Sequence, residues 1–506
     1  MGFGEHRARR RKPLLPKRLT EHLPSPPMRS IIAPLAALLT LSVAALDASA
    51  QQRASHATTS IRPTNIIYFV ADGFGPASST FAREYVHATT GRRSLVFDPY
   101  LVGTLQTWAT NSRVTDSAAG GTALATGHKS YNGAIAVDTA GRALATLLEA
   151  AQDRGMATGV VVTSRITHAT PACFTAHVGS RAEEDEIARQ QMRLAPDVLM
   201  GGGLRHFLPA DVAPGRRRDG LNLLDSLRAK GFTVATDRAA YDRATRAPFV
   251  GLLAADHLAY EIDRDPAREP SLAEMTEKAL GMLNGRSRRG FVLMVEASRI
   301  DHAGHANDAA GHLHDILAYE QAFRVALDFQ RRHPGTLVVA TADHETGGLT
   351  LGRNLDGIGR YFWHPQTLTR QRVSYDRLFP ALRAAIQTDT TGASAVAVLS
   401  EQMGISDLSD AERTGLVAAL RRQPGRVPGL VTEVVARRAA IQWTTGAHTA
   451  VDVNVYASGP GADRFRGNRP NDAMGTTLAR LLGLDLDALT RRLRQTHPVY
   501  TRGGAE

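Results

Sequence analysis

Four short stretches of this chain are apolar at nearly every position: NIIYFVAD (65–72), ATGVVVTS (157–164), GFVLMVEA (290–297) and GTLVVATADH (335–344). A half-exposed strand alternates apolar with polar residues, and an amphipathic helix repeats its apolar face about every 3.6 positions; these runs do neither. Short β-branched segments that are apolar on both faces fit strands of a parallel sheet covered by helices on both sides. Helical stretches such as 141–154 and 308–331 lie between them, so the expected fold class is α/β, with a doubly wound, mostly parallel central sheet. VDVNVYASG (451–459) alternates and is expected nearer an edge. Residues 350–440 carry no obvious ligand set and read as an insertion between two core strands, helical and Arg-rich over 410–440. Residues 475–495 read as a C-terminal helix pair.

Three of the runs end in acid: Asp72 after 66–71, Glu296 after 291–295, and Asp343 with His344 after 337–342. Ligands of open α/β sheets bind beyond the carboxyl ends of the strands. One carboxylate there has an ordinary use, capping the next helix. Three on one rim, joined by His344, would repel one another unless divalent cations lay among them. VEASRIDHAGHAND (295–308) strengthens this reading, because Glu296, Asp301, His302 and His305 fall within ten positions. Asp301 and His305 are four apart and share a face if that turn is helical.

Three further stretches carry reactive groups. In VTDSAAGGTALATG (114–127), Ser117 opens an Ala-rich run of high helix propensity. A serine at a helix start is ordinarily a cap; as a nucleophile it needs a base or a metal to favour its alkoxide. No Ser-His-Asp arrangement or GxSxG accompanies it, which leaves a metal. In ITHATPACFTAHVGSR (166–181), Thr170-Pro171 reads as an N-cap followed by Pro at the first helical position. His168 and Thr170 then sit on the preceding loop, and Arg181 near the helix end. An arginine fork can hold two phosphate oxygens, although an isolated arginine is usually just a surface residue. In TTGAHTAVDVNV (444–455), His448 precedes a strand and alone says little.

The length of 506 residues allows two to four domains of ordinary size or one large α/β domain with insertions, and 43% apolar content is enough for a core. The first 50 read separately. Basic residues 7–18, the apolar run 31–46 and Ala48-Ser49-Ala50 form a secretory signal pattern, with Met28 as an alternative start. The apolar run is short of the roughly 20 residues a membrane span needs, so no stable span is expected. Arg9-Arg10-Arg11 leaves twin-arginine export open beside the general route. Residues 51–63 read as a flexible remnant, and the folded part as 64–506. Without residues 1–50 the net charge falls from +11 to +6, which suits a small anionic substrate and makes no case for nucleic acid. The lone Cys173 excludes an intrachain disulfide and reads as a small core residue.

VADGFG (70–75), TDSAAGGTA (115–123), THATPA…HVGSR (167–181), VEASRIDHAGH (295–305), TADHETGG (341–348) and TGAHT (445–449) occur in the order found in alkaline phosphatases. The chain resembles that family over about 65–460. The resemblance implies two zinc ions and one magnesium ion around a phosphate site. It makes Ser117 the nucleophile that becomes phosphorylated, with Asp116 beside it. Asp301, His305 and His448 resemble ligands of the first zinc; Asp72, Asp343 and His344 resemble those of the second, which also meets Ser117. Asp72 would bridge to the magnesium, joined by Thr170 and Glu296. Arg181 resembles the arginine that clamps phosphate. His168, beside the magnesium ligands, and His302, on the substrate side, stand where some members carry Asp and Lys and others His. The Gly pair at 120–121 replaces small alanines. The function implied is hydrolysis of phosphate monoesters by an exported enzyme, periplasmic or secreted, that releases inorganic phosphate. Members of the family are often dimers. The rival readings are a phosphodiesterase or other hydrolase of the same superfamily, and a non-enzymatic phosphate- or metal-binding protein that would not need Ser117.

Overall fold

The computed structural model describes residues 62–354 and 362–500. The leader expected over 1–50, and all but the last two residues of 51–63, lie outside them. Ten strands form one sheet: β1 (Asn65–Val70), β2 (Leu101–Gln106), β3 (Ala157–Arg165), β4 (Val198–Gly202), β5 (Thr233–Ala235), β6 (Phe249–Leu252), β7 (Phe291–Glu296), β8 (Thr336–Thr341), β13 (Val453–Ser458) and β14 (Gly467–Pro470). Between β8 and β13 the chain adds two small pairs, β9 (Glu345–Thr346) with β12 (His448–Thr449) and β10 (Leu349–Leu351) with β11 (Ile441–Trp443). The strand order is β14-β2-β13-β8-β1-β7-β3-β4-β6-β5. Every neighbouring pair is parallel except those made by β13, which runs against β2 and β8. The sheet is therefore mixed but mostly parallel, with helices around it.

The centre of the sheet explains the all-apolar runs. Tyr68 of β1 points to one face and meets Phe174 edge-on at 5.8 Å. Phe69 points to the other and meets Tyr319 and Phe323, at 5.9 and 5.5 Å, on the helix Ala309–Arg332. A fully buried apolar side chain such as Phe69 or Phe323 contributes about 1.5–3 kcal/mol. With helices on both faces, no position of β1, β7 or β8 is left to be polar until the strand ends.

Register decides what happens there. Val70 of β1 lies level with Glu296 of β7 and with Thr341 of β8. Two residues further on, Asp72 and Asp343 emerge side by side, next to Glu296. The helices that bear on this rim are α1 (Ser117–Thr126), α2 (Ala169–Thr175), α3 (Arg299–Ala306) and α4 (Ala309–Arg332). Among the described residues between β10 and β11 the chain forms four more: α5 (Tyr375–Thr388), α6 (Ala393–Met403), α7 (Asp410–Arg422) and α8 (Val427–Ala439). Two C-terminal helices follow, Asp472–Leu482 and Leu486–Thr496.

β13 lies third from an edge, nearer one than β1, β3, β7 and β8, with β2 and β14 beyond it; the sequences of those two, LVGTLQ and GNRP, carry little strand signal. Three local expectations need correction. The helix expected over 141–154 covers only Leu147–Asp153, since Ala143 is bridged to Val137 instead. Thr170 is no N-cap: α2 begins at Ala169 with His168 before it, and the Thr170 hydroxyl is turned to Asp72. Arg181 lies beyond the end of α2, on a loop anchored by its N–H to the carbonyl of Gly133 at 2.8 Å.

The turn after β1 depends on Gly73. Its φ of +73° is open to glycine and costly for other residues, and a Cβ there would lie 2.7 Å from the Cα of Asp301. Gly73→Ala is expected to cost about 1–3 kcal/mol of stability, measured by urea unfolding. A variant within about 0.5 kcal/mol of the parent would show that the turn relaxes freely.

Candidate active site

Asp72, Glu296 and Asp343 are fully buried at the rim. Their hydrogen bonds are few. Asp72 accepts from the Thr170 hydroxyl at 3.2 Å, Asp343 from the Gly73 N–H at 3.3 Å, and Glu296 from the Ser164 hydroxyl at 3.4 Å. One oxygen of each carboxylate is buried without a partner: Asp72 Oδ1, Glu296 Oε1 and Asp343 Oδ2. Burial pushes the Glu296 carboxyl up to about 8. Burial, reinforced by Asp301, takes Asp343 up to about 7. Asp72 is raised well above the carboxylate range by burial and then by Asp343, Asp301 and Glu296. Buried polar atoms are rarely left unpaired, and clustered buried carboxylates repel unless a cation compensates them. The orphaned oxygens therefore fit metal ligands.

The histidines fit for a second reason. His448 places Nδ1 2.8 Å from the carbonyl of Thr115, and His305 places Nδ1 2.8 Å from that of Gly446. A carbonyl only accepts, so each Nδ1 carries the proton and each Nε2 is left with a lone pair. Those two Nε2 atoms face each other at 3.0 Å and lie 3.6 and 3.4 Å from Asp301 Oδ1. Metal-binding imidazoles are oriented in this way, through the other ring nitrogen. His344 stacks on His448 with ring centroids 3.5 Å apart. Its Nε2 lies 3.1 Å from the Ser117 hydroxyl, 3.3 Å from Asp343 and 3.5 Å from Asp72. Burial keeps the imidazoles of His344 and His448 below their ordinary protonation range.

Three groups of ligand atoms result, each within 4.8 Å: Asp301, His344 and His448; Asp72, Asp343 and His344; and Asp72, His168 and Glu296. His344 stands in two of them and Asp72 in two. His305 adjoins the first. His168 fits less well than the others. Arg181 donates to its Nε2 at 3.1 Å, which leaves the ring proton on a buried, unpartnered Nδ1.

Ser117 is the first residue of α1, where the helix dipole favours anions. Its own cap is Asp116, which accepts from the Ala119 N–H at 2.9 Å. The other oxygen of Asp116 accepts from the Gly133 N–H and from Arg181, at 3.0 and 3.1 Å. Asp116 thus ties the start of α1 to the guanidinium. His302 lies in the same quarter, its ring 5.3 Å from that of His168. Gly120 and Gly121 let α1 come close, since Cβ atoms there would meet Asp343 Cβ and Cys173 Sγ, each at 3.1 Å. Cys173 is buried, and burial pushes its thiol up to about 12, which makes it an inert core residue.

All the residues singled out in the sequence converge on this rim. Others were not singled out. Thr346 donates to Asp301 Oδ1 at 2.5 Å and meets His344 Nδ1 at 3.2 Å; it belongs to TADHETGG, so its motif was visible and its role was not. Ser164 closes the run ATGVVVTS. His257 packs on His302 with ring centroids 4.3 Å apart, and nothing in its neighbourhood of sequence signals that.

The sequence profile of alkaline phosphatase matches residues 63–484. A repressible alkaline phosphatase of Saccharomyces cerevisiae is 38% identical, over 92% of this chain and 89% of the yeast protein. The crystal structure of a cold-active alkaline phosphatase from the psychrophile Shewanella sp. matches with a TM-score of 0.74 at 37% identity, covering 83% of this chain and 99% of that one. Thermus thermophilus alkaline phosphatase matches with a TM-score of 0.74 at 31% identity, covering 87% of this chain and 99% of that one. The chain belongs to the alkaline phosphatase family.

The Thr346 hydroxyl is the one protein donor to buried Asp301 Oδ1 among the described residues. Thr346→Val keeps the shape and removes the donor. It is expected to destabilise the protein by about 1–3 kcal/mol in chemical unfolding. Parental stability would mean that Asp301 needs no such donor.

Proposed function

We propose that this chain is an exported phosphatase that hydrolyses phosphate monoesters through a phosphoserine on Ser117. The single observation that carries the reading is the Ser117 hydroxyl, at a helix start, 3.1 Å from His344 among buried carboxylates with orphaned oxygens. Family membership gives the reaction class, and the leader-like residues 1–50 support export to the periplasm or medium.

The donor sets fit two zinc ions and one magnesium ion. Asp301, His305 and His448 would hold one zinc, and Asp72, Asp343 and His344 the other. Asp72, Glu296 and Thr170 would hold magnesium, with His168 alongside. Such ions supply Lewis-acid charge that favours an oxygen nucleophile and offsets charge on a leaving oxygen.

The remaining work falls to the chain itself. Arg181, held by Asp116 and His168, presents its guanidinium to two phosphate oxygens. The start of α1 adds its dipole. Ser117 Oγ attacks phosphorus, losing its proton as the P–O bond to the leaving group breaks, and the alcohol departs with a proton. Water then attacks the phosphoserine from the vacated side, and Ser117 Oγ takes back a proton as inorganic phosphate leaves. His302 offers a further polar group beside the phosphate. Recognition centred on the phosphate implies tolerance of many leaving groups.

Ser117→Ala is expected to lower aryl phosphate turnover at least about a hundredfold, roughly 3 kcal/mol of lost barrier reduction. Zinc and magnesium content by atomic spectroscopy should stay near the parental level. Equal turnover in variant and parent would end the serine assignment. Chelation should abolish activity and lower the unfolding temperature, since ions that bind only the native state stabilise it. The same preparation assayed with a diester and a sulfate ester separates the monoesterase from its superfamily rivals.

A further inference from the structure

His302 is gripped from behind by residues that have so far been given no role. Arg299 opens α3 and is almost entirely buried, 7% exposed. One arm of its guanidinium donates to His302 Nδ1 at 3.0 Å. The other donates to Asp376 Oδ2 at 2.7 Å, and the group lies over the ring of Tyr260 at 3.7 Å. Asp376 belongs to α5, the first helix of the segment inserted between β10 and β11.

Arginine can only donate, so His302 Nδ1 must accept. A neutral imidazole then carries its proton on Nε2. Among the described residues Nε2 has no hydrogen-bond partner, so its N–H is left for a ligand. Without Arg299 the ring could rotate or exchange tautomer and present a lone pair instead.

Asp376 is exposed, which would ordinarily make it a weak partner. Its helix start, however, is fixed by two buried carboxylates. Ser374 donates its N–H to Asp263 at 3.0 Å and its hydroxyl to the same group, and Tyr375 donates its N–H to Asp308 at 2.6 Å. The Ser374 hydroxyl in turn accepts from the Asp376 N–H at 3.1 Å. Asp376 is therefore held in place by the backbone that carries it.

We propose that Asp376 is a positioning residue of the inserted segment, acting through Arg299 to hold His302 as an Nε2–H donor towards the phosphate group of the substrate. The inserted helices thereby contribute to the site without reaching it. The proposal rests on the phosphatase reading for its consequence in catalysis, not for the state of the ring.

Two measurements on the metal-loaded protein test it. Asp376→Ala, an exposed substitution, is expected to lower kcat/KM for an aryl phosphate by about threefold to tenfold in the parent and by less than about 1.5-fold in a His302→Ala background, since mutations acting through one group are not additive. Asp376→Glu should recover most of the loss. In 15N-histidine-labelled protein, the His302 ring nitrogens, assigned by their disappearance in His302→Ala, should show the Nε2–H form in the parent and a tautomer mixture in Asp376→Ala. Equal cost in both backgrounds would reduce Asp376 to a structural pin and overturn the proposal. So would ring signals unchanged by Asp376→Ala. A parent without monoesterase turnover would instead remove the functional reading, and the ring signals alone would then decide the relay.

Discussion

The repulsion among Asp72, Glu296, Asp301 and Asp343 is the constraint around which this molecule is built. All four are buried at one rim of the sheet, and three of them are the ends of adjacent strands or the residues just beyond. A fold that placed them so for packing alone would be self-defeating, because burial and mutual charge both push Asp72, Glu296 and Asp343 up, and only the imidazoles around Asp301 outweigh burial there. The parallel register of β8, β1 and β7 makes the crowding unavoidable. Aligned parallel strands end at one level, and whatever follows them is brought together.

Much of the surrounding detail serves to aim groups at that rim. Backbone carbonyls of Thr115 and Gly446 fix the tautomers of His448 and His305. Thr346 and Thr170 turn their hydroxyls to carboxylates, not to their own helices or strands. Asp116 both caps α1 and holds Arg181, so the serine and the guanidinium are set by one side chain. The site is thus stiff at its edges, while its centre is left to the ions proposed here.

The sequence discloses the centre of this structure better than its edges. β1, β3, β7 and β8 were legible because a strand buried on both faces has no polar positions, and their terminal acids stood out against that background. β2 and β14 were not, because LVGTLQ and GNRP are partly exposed and keep no strand-like pattern. The residues that gather at the rim were legible because their motifs match a family whole, even though His448 alone meant nothing. The place of Thr170 before Pro171 suggests a helix cap, a local rule that loses here to a tertiary partner, Asp72. His257 and Asp376 gave no signal, since a contact made across the fold by one isolated polar residue leaves no local trace.

The central position of β1 also has a consequence for how the chain comes to be folded. β1 is the first of the described strands to be synthesised, yet its two partners, β7 and β8, begin at residues 291 and 336. Pairings this remote close late and slowly. During that interval Asp72 has neither its neighbouring acids nor the histidines beyond them, and no half-built site exists to capture an ion. Any cation held at this rim would therefore have to wait for completion of the sheet.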